Sequence, residues 1–361
     1  MKILELTRSF YPSIGGMEKF VADRLKIYEN LNIDYQVITT THSEKKITSQ
    51  KLNDVIYLHS YTPYEIVPAL SKVMKHGYDL LSLNQLSYYY SVQAVNSAYK
   101  NKKKIILTPH FHFHTDKFKV VKKFHNIFFV PQILTKVNKI ICFTEHEANY
   151  WIKKYPAIEN KIVIIPHYFE PPEITGDNSK NDFGKFFLFL GRGEKNKRFD
   201  LLIQAFSKLN TDYHLVLTLD EDEIIGELKN LIKKNERIHI LGRVSEKRKQ
   251  NLLATCSALI LPTDFEAFGI VNFEASYYRK PLLITELPVF NHILDKKGVI
   301  YFENNLNSII NALKKFIRLN EKERKEMGDV NFRILENYSF DKIVSMYKKM
   351  LAETLHLENN F

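Results

Sequence analysis

The stretch DFEAFGIVNFE, residues 264–274, places a carboxylate on each side of a glycine. Glu266 precedes Gly269 and Glu274 follows it, with seven residues between the two glutamates. Ionised carboxylates only accept hydrogen bonds, so such a pair suits a ligand that carries hydroxyl groups, such as a ribose or a sugar ring. The alternative is one surface carboxylate and one helix-capping carboxylate, and it fits either glutamate alone better than both together.

The neighbouring sequence indicates which elements hold the two glutamates. CSALILPT is a short apolar run that ends at Pro262 and Thr263, which predicts a buried strand. IVNFEASYY contains no helix breaker, which predicts the start of a helix. A turn from strand to helix lies at the edge where open α/β sheets bind ligands. We therefore expect Phe268 and Gly269 to begin the helix and, with Ile270, to hold a phosphate or a sugar oxygen.

A second charged group follows another predicted strand. In FLFLGRGEKNKRFDLLIQAF, Arg192 and Lys197 come between the apolar run and a predicted helix. Two fixed cations at a strand end would stabilise the negative charge that a diphosphate develops as its bond to a sugar breaks. On its own, EKNKR is explained equally well as a solvated charge run.

The first half of the chain carries two further candidate motifs. In SFYPSIGGMEKF, Gly15 and Gly16 would let a ligand approach the backbone closely, although a plain tight turn could use the same glycines. The spacing is not the GxGxxG fingerprint, which argues against a nicotinamide enzyme. In TPHFHFHTD, His110, His112 and His114 alternate on one side of an extended segment. A metal would need a fourth ligand, and since no second Cys/His cluster is evident we expect no metal.

The composition and the strand pattern indicate the architecture. The chain has 361 residues, 45% hydrophobic and 26% charged, which suits a soluble protein of two ordinary domains. Runs such as KILELT, KIICF and FFLFLG alternate with amphipathic helices, which predicts two doubly wound parallel sheets. We expect domains over residues 1–168 and 183–339, because the Pro- and Gly-rich segment HYFEPPEITGDNSKNDFG lies between them.

The cysteines and the apolar runs indicate the cellular compartment in which the protein is found. Cys142 and Cys256 both lie in apolar runs, so we expect two core residues in a reducing compartment rather than a disulfide. No apolar run approaches the length of a membrane span, and MKILELTRSF is typical of a strand and a polar loop rather than of a signal peptide. We expect a cytoplasmic protein.

Taken together, the motifs resemble those of the retaining glycosyltransferases of family 4, over nearly the whole chain. YPSIGGMEKF is similar to the family's amino-terminal Pro-x-x-Gly-Gly-x-Glu loop, and GRGEKNK to its Gly-Arg…Lys donor-phosphate segment. The most specific match is the block over residues 240–285, which contains the two glutamates with Phe-Gly between them. The family usually has glycine where Arg198 and Ala267 stand in this sequence.

The resemblance implies a fold and an activity. The fold is GT-B, an α/β architecture of two Rossmann-like doubly wound parallel-sheet domains that face each other across a cleft. The acceptor would bind to residues 1–168 and the nucleotide sugar to residues 183–339, with a helix at 340–361 packing back on the first domain. The activity would be transfer of a hexose, with retention, from a nucleotide-diphosphate sugar to a hydroxyl of a glycan or lipid-linked acceptor. Such enzymes serve cell-surface polysaccharide or glycolipid synthesis without a metal or another cofactor.

The resemblance also assigns residues. The catalytic residues that it implies are His110, Arg192, Lys197 and Glu266. The donor-binding residues that it implies are Gly15, Gly16, Arg192, Lys197, Glu266, Phe268, Gly269, Ile270 and Glu274. In these sets the two cations would stabilise the departing phosphate, the first glutamate would position the sugar and the second would hold the ribose. His110 matches a family histidine near the donor sugar, whereas His112 and His114 are more simply explained as surface or packing residues.

The charge of the chain indicates a further partner. The net charge is +11, and residues 1–168 account for most of it, with 23 Lys and Arg against 13 Asp and Glu. Residues 100–139 hold ten lysines and one aspartate, interleaved with phenylalanine, valine and isoleucine. This pattern is typical of a segment that lies peripherally on an anionic membrane, here the inner face. The alternative is that the apolar residues pack into the core and the lysines form a solvated rim.

Two other function classes share some of these features. A nucleotide-sugar epimerase of the same fold would use the same donor site without a second substrate. A nucleic-acid binder would use the same lysines, but the chain has no recognition motif such as a zinc finger or an RNP segment. We therefore expect no nucleic-acid partner.

Overall fold

The structure is a computed structural model and describes residues 1–11, 16–41, 55–61, 64–75, 77–110, 119–172, 182–191, 193–219, 224 and 226–356, with only the backbone of residues 41 and 119–122. The chain forms two compact units. One consists of Met1–His167 together with Phe340–Phe361, and the other of Tyr168–Ser339.

The first unit is built on a parallel sheet of seven strands, in the order β3-β2-β1-β4-β5-β6-β7. The strands are β1 (Lys2–Thr7), β2 (Asp34–Thr41), β3 (Val55–His59), β4 (Leu80–Asn84), β5 (Lys104–Thr108), β6 (Lys139–Cys142) and β7 (Ile162–Ile164). The middle strands KILELT, LLSLN and KIILT are buried almost throughout, as expected where helices cover both faces of a parallel sheet.

The helices of the first unit connect consecutive strands. They are α1 (Gly16–Asn30), α2 (Leu70–Val73), α3 (Tyr89–Lys100), α4 (Lys119–Lys136) and α5 (Glu145–Lys154). The start of α5 follows from its sequence, because the side chain of Thr144 accepts a hydrogen bond from the amide of Glu147 and so caps the helix.

The second unit repeats the architecture with six parallel strands, in the order β10-β9-β8-β11-β12-β13. The strands are β8 (Phe186–Phe189), β9 (His214–Leu217), β10 (Ile238–Ile240), β11 (Ala258–Leu261), β12 (Leu282–Thr285) and β13 (Val299–Phe302). The helices are α6 (Phe199–Ser207), α7 (Glu227–Lys233), α8 (Glu246–Thr255), α9 (Ile270–Tyr277), α10 (Leu306–Arg318) and α11 (Glu321–Ile334). The prediction of two doubly wound parallel sheets is confirmed.

The last helix, α12 (Phe340–Leu355), belongs to the first unit. Its buried face consists of Ile343, Tyr347, Met350, Leu351 and Thr354. An ion pair of 2.9 Å between Glu353 and Lys139 connects this helix to β6. The carboxyl end of the chain therefore completes the core of the unit that the amino-terminal residues begin.

The order of the strands determines where a ligand can bind in each unit. The strand order changes direction between β1 and β4 in the first sheet and between β8 and β11 in the second. Loops that leave the carboxyl ends of two such strands separate and form a crevice between them. Within the described ranges, no helix combines the length and the apolar composition that crossing a membrane requires.

Candidate functional site

In the second unit, the loops after β8 and β11 meet at the carboxyl edge of the sheet. Nζ of Lys197 lies 2.5 Å from Oε1 of Glu266, and the two side chains are 17% and 12% exposed. Lys197 ends a single 3₁₀ turn, and Glu266 lies in the loop between β11 and α9. The structure thus joins a predicted cation to a predicted carboxylate 69 residues away in the chain.

The backbones of these two loops are bonded to each other. The carbonyl of Asn196 accepts hydrogen bonds from the amide of Asp264 at 2.7 Å and from the hydroxyl of Thr263 at 3.2 Å. Thr263 is fully buried, and its amide donates to the hydroxyl of Thr285 at 3.0 Å. The position of the ion pair is therefore set by the main chain as well as by its own charges.

Arg198 occupies a position whose backbone conformation favours glycine. Its φ of 46° and ψ of 32° lie in the left-handed region, which costs least for the glycine usual at this position in the family that the sequence resembles. Its side chain lies 3.4 Å from Asp200 and 3.4 Å from Asp264, which holds this loop to the residues before Glu266.

Gly269 allows the chain to turn sharply into α9. Its φ is 76°, and a Cβ at this position would lie 2.8 Å from Nδ2 of Asn272 and 2.9 Å from the ring of Phe290. Any other residue would meet both the left-handed strain and a collision. Asn272 is fully buried, and among the residues that the structure describes neither its Oδ1 nor its Nδ2 has a hydrogen-bond partner.

The helix begins at Ile270, so the expectation that Phe268 and Gly269 begin it is corrected by one to two residues. The reason is the left-handed conformation at Gly269, which places that residue at the cap. Phe268 is 4% exposed and its ring stacks on Phe273 at 4.8 Å, with Tyr338 against the edge. The side chain of Phe268 thus supports the loop, and its backbone is the part that a ligand could contact.

Glu274 lies on α9 and pairs with a residue that the sequence did not indicate. Its Oε1 is 2.9 Å from Nζ of Lys249 on α8, and both side chains are 23% exposed. Lys249 also contacts Glu246 at 2.8 Å. Burial acts to lower the pKa of Lys249, but the two carboxylates outweigh it and the pKa is raised. Within SEKRKQ, the sequence does not distinguish Lys249 from its neighbours. Its pairing with Glu274 becomes apparent only from the packing of α8 beside α9.

In the first unit, His110 lies two residues beyond the end of β5 and is 7% exposed, with a φ of 49°. Its Nε2 is 2.9 Å from Oδ1 of Asn84, the last residue of β4. The same oxygen accepts from Arg24 at 2.9 Å, whereas Nδ2 of Asn84 donates to Glu5 at 2.5 Å and to the carbonyl of Leu6 at 3.1 Å. Since arginine only donates and carboxylates only accept, this orientation of Asn84 requires Nε2 of His110 to carry a proton.

Asn84 belongs to a polar network in the core of the first unit. Arg24 is 1% exposed and lies 3.4 Å from Glu5, which is fully buried. It also donates to Ser82 at 2.6 Å and to Thr108 at 3.0 Å. Burial acts to lower the pKa of Arg24, but the Glu5 carboxylate together with Tyr347 and Tyr28 outweighs it and the pKa is raised, so the arginine stays charged. A buried charge of this kind is tolerated because it is paired and hydrogen-bonded.

An aromatic group surrounds the His110 ring. Phe20 lies 4.8 Å from His110 and 4.8 Å from His167, and Phe143 lies 5.3 Å and 4.2 Å from the same rings. Burial, followed by the charges of Arg24 and Lys19, lowers the pKa of His167 to about 3. The loops after β5, β6 and β7 therefore converge on the first turns of α1.

The remaining predicted site residues fall in two groups. Gly16 is exposed and is the first residue of α1. Gly15, Arg192, His112 and His114 lie outside the described residues. Within the described part of the chain, no three His, Cys, Asp or Glu side chains are grouped so as to hold a metal ion.

Two family models match the sequence in succession. Residues 14–170 match Glycosyltransferase Family 4, and residues 172–331 match Glycosyl transferases group 1. Between them the two models span both units. The chain belongs to family 4 of the glycosyltransferases, as the motifs indicated.

Individual relatives agree with this membership. An uncharacterized glycosyltransferase of Methanocaldococcus jannaschii is 25% identical over 365 residues, with 98% of each chain covered. The GDP-mannose:cellobiosyl-diphosphopolyprenol alpha-mannosyltransferase of Xanthomonas oryzae is 19% identical over 320 residues, with 82% of each chain covered. Among solved structures, Anabaena HepE in complex with UDP superposes with a TM-score of 0.80 at 17% identity, over 98% of this chain and 100% of that one. The fold is therefore that of the GT-B glycosyltransferases.

Proposed function

We propose that the protein transfers a hexose from a nucleotide-diphosphate sugar to a hydroxyl group, with retention of the anomeric configuration. The observation that carries this proposal is the pairing of Lys197 with Glu266 at the carboxyl ends of β8 and β11. The pair lies where the strand order reverses, and it combines a cation for a phosphate with a carboxylate for sugar hydroxyls. Membership in the family supports the transfer, and retention rests on the resemblance of the motifs.

In the proposed reaction, the bond from the anomeric carbon to the phosphate oxygen breaks as a bond to the acceptor oxygen forms on the same face. The proton of the acceptor hydroxyl moves to the departing phosphate oxygen. Lys197, together with the predicted Arg192, stabilises the charge that develops on the diphosphate. The backbone amides at the start of α9 are a further source of positive potential, so the reaction needs no metal or other cofactor.

The two glutamates take different roles in this scheme. Glu274 would accept the hydroxyls of the ribose, replacing part of its contact with Lys249. Glu266 would accept hydroxyls of the sugar ring while Lys197 turns to the phosphate. His110 would contact the donor sugar with Nδ1, which in the neutral ring can only accept, because Asn84 holds the proton on Nε2.

The relatives suggest the kind of donor and acceptor. A mannosyltransferase that acts on a diphosphopolyprenol-linked sugar and an O-antigen chain mannosyltransferase are both similar to this chain. We propose a glycan or lipid-linked acceptor and a role in polysaccharide or glycolipid synthesis on the cytoplasmic side. Residues 1–168 would bind the acceptor.

The test is a panel of UDP-, GDP- and ADP-sugars followed by proton NMR without an acceptor. Slow hydrolysis of one donor should release the sugar first in the donor's own anomeric configuration, before mutarotation, and EDTA should not slow it. Release of the opposite anomer would contradict retention. Conversion of the free nucleotide sugar to its epimer, with no transfer to any acceptor, would instead identify an epimerase of this fold.

A further inference from the structure

Helix α4 presents an apolar face that the rest of the described chain does not cover. Phe124, Ile127 and Phe128 are 56%, 55% and 51% exposed. Their spacing of three and four residues places them side by side, and the rings of Phe124 and Phe128 lie 4.4 Å apart. Grouped and exposed side chains of this size mark an interaction surface, because soluble proteins rarely leave a large apolar patch in water.

The opposite face of α4 anchors the helix in the unit. Val130, Ile133 and Leu134 are 1% exposed and belong to the hydrophobic core. His125 is fully buried, and its Nε2 donates to the carbonyl of Leu86 at 2.5 Å. The helix is thus held by one face while the other points outward. The alternative in which the apolar residues of this segment pack into the core therefore describes only the anchored face.

Lysines lie beside the exposed face. Lys123 is exposed and precedes the first phenylalanine of the patch. Lys153 and Lys154, at the end of α5, are exposed as well. The hydroxyl of Tyr155 donates to the carbonyl of Asn126 at 3.4 Å, and Nζ of Lys154 lies 5.5 Å from the Tyr155 ring. This contact brings the basic end of α5 to the middle of α4.

We propose that this face of α4 docks on the surface of an anionic lipid bilayer, with Phe124, Ile127 and Phe128 at the headgroup boundary. The surrounding lysines would then contact the anionic headgroups. Residues 100–139 carry ten lysines and one aspartate, so the charge of the whole segment is complementary to such a surface. Apolar insertion and electrostatic attraction strengthen each other in peripheral binding. The proposal stands on the first unit alone and does not rest on the proposed function.

A second copy of the chain fits this face less well than a membrane does. A symmetric pairing would place the same surface on both sides of the interface, so the lysines of one copy would face those of the other. Like charges opposed in this way weaken an association, whereas an anionic bilayer attracts the same lysines.

The experiment is co-sedimentation of the full chain with vesicles of phosphatidylcholine alone or mixed with phosphatidylglycerol, at about 0.1 M and about 1 M salt, where the Debye lengths are about 10 Å and 3 Å. One variant combines Phe124→Ser, Ile127→Ser and Phe128→Ser, and another combines Lys123→Gln, Lys153→Gln and Lys154→Gln. Met346→Ser is the matched control, because Met346 is 42% exposed on α12 of the same unit. All substituted side chains are exposed, and circular dichroism checks that each variant folds.

We expect the wild type and Met346→Ser to bind the phosphatidylglycerol vesicles and to lose most of the binding at high salt. Each triple variant should bind at least tenfold more weakly. Binding that ignores lipid charge, or that survives in the serine variant, would overturn the proposal. So would no binding at all, or a wild-type dimer that the serine variant converts to a monomer without any change in lipid binding. If the serine variant does not fold, the lysine variant and the salt series decide the question.

Discussion

Nε2 of His110 lies 2.9 Å from Oδ1 of Asn84, and this contact determines which ring nitrogen of the histidine carries the proton. The side-chain amide of Asn84 cannot flip, because its Nδ2 donates to the Glu5 carboxylate and the Leu6 carbonyl. A buried ion pair on β1 and α1 therefore sets the tautomer of a histidine at the end of β5.

Replacing Asn84 should disturb His110 without removing it. Asn84→Ala should lower sugar transfer about tenfold, the order of one buried hydrogen bond. Imidazole nitrogen shifts from NMR should show a single Nε2-protonated form in the wild type and a mixture in the variant. Asn96→Ala, which changes an exposed asparagine of the same unit, is the control. An unchanged tautomer in Asn84→Ala would contradict the inferred role.

Lys197 should be required for the departure of the diphosphate. Lys197→Met should reduce transfer by roughly 10²–10³-fold, the usual loss for one preorganised charge contact. Lys195→Met, two residues earlier and exposed, should retain transfer. The same assay tests the prediction for Arg192 through Arg192→Ala. Equal activity in the two lysine variants would show that the cation at 197 has no special role.

Glu274 should act on nucleotide affinity more than on turnover. Glu274→Gln removes the charge that would accept the ribose hydroxyls, and a hydrogen bond to a charged group contributes about 1.5–3 kcal/mol, so KM should rise roughly 10–100-fold. Glu246→Gln is the control, because Glu246 is 78% exposed and shares Lys249 with Glu274. A large loss in kcat with KM unchanged would argue against ribose binding.

Acid should destabilise the first unit through two neutral histidines. Burial lowers the pKa of His125, and burial with the Arg24 and Lys19 charges lowers that of His167 to about 3. Below about pH 6.5 the unfolded chain binds protons that the folded unit does not, so the free energy of unfolding falls as pH falls. For His167 the fall continues towards pH 3, by up to about 1.4 kcal/mol per pH unit, and His125 adds to it in the same direction. Urea unfolding at pH 7.5 and 5.5 measures this slope.

His167→Phe should make that pH dependence shallower, since the ring contacts with Phe20 and Phe143 can be kept. The interpretation fails if His167→Phe shows the same slope as the wild type.

Removing α12 should destabilise the first unit rather than the second. Truncation before Ser339 exposes the partners of Ile343, Tyr347, Met350 and Leu351, all of which are buried. Amide hydrogen exchange should then accelerate in β1 and β5, while β8 and β11 keep their protection. Unaltered exchange in the first sheet would contradict this assignment of the helix.

The sequence predicted the two doubly wound sheets because their strands are continuous apolar runs that end at loops. It also placed Lys197 and Glu266 at strand ends and Glu274 on the helix that follows, since the motif and the strand–helix turn coincide there. It did not indicate Lys249 or Asn84. Lys249 lies in a run of similar charges, and Asn84 ends LLSLN, a segment that the pattern did not single out as a strand. Both act through neighbours distant in the chain, 25 residues from Glu274 and 26 from His110.

The most direct test of the donor site is calorimetric titration of the wild type with UDP, GDP and ADP. We predict that one of these nucleotides binds to the wild type and to Lys195→Met alike. Its dissociation constant should be at least roughly tenfold higher in Lys197→Met and in Glu274→Gln, a difference of about 1.4 kcal/mol. Binding of the same strength in all four proteins, or no binding of any nucleotide to the wild type, would contradict the assignment of the loops after β8 and β11 as the donor site.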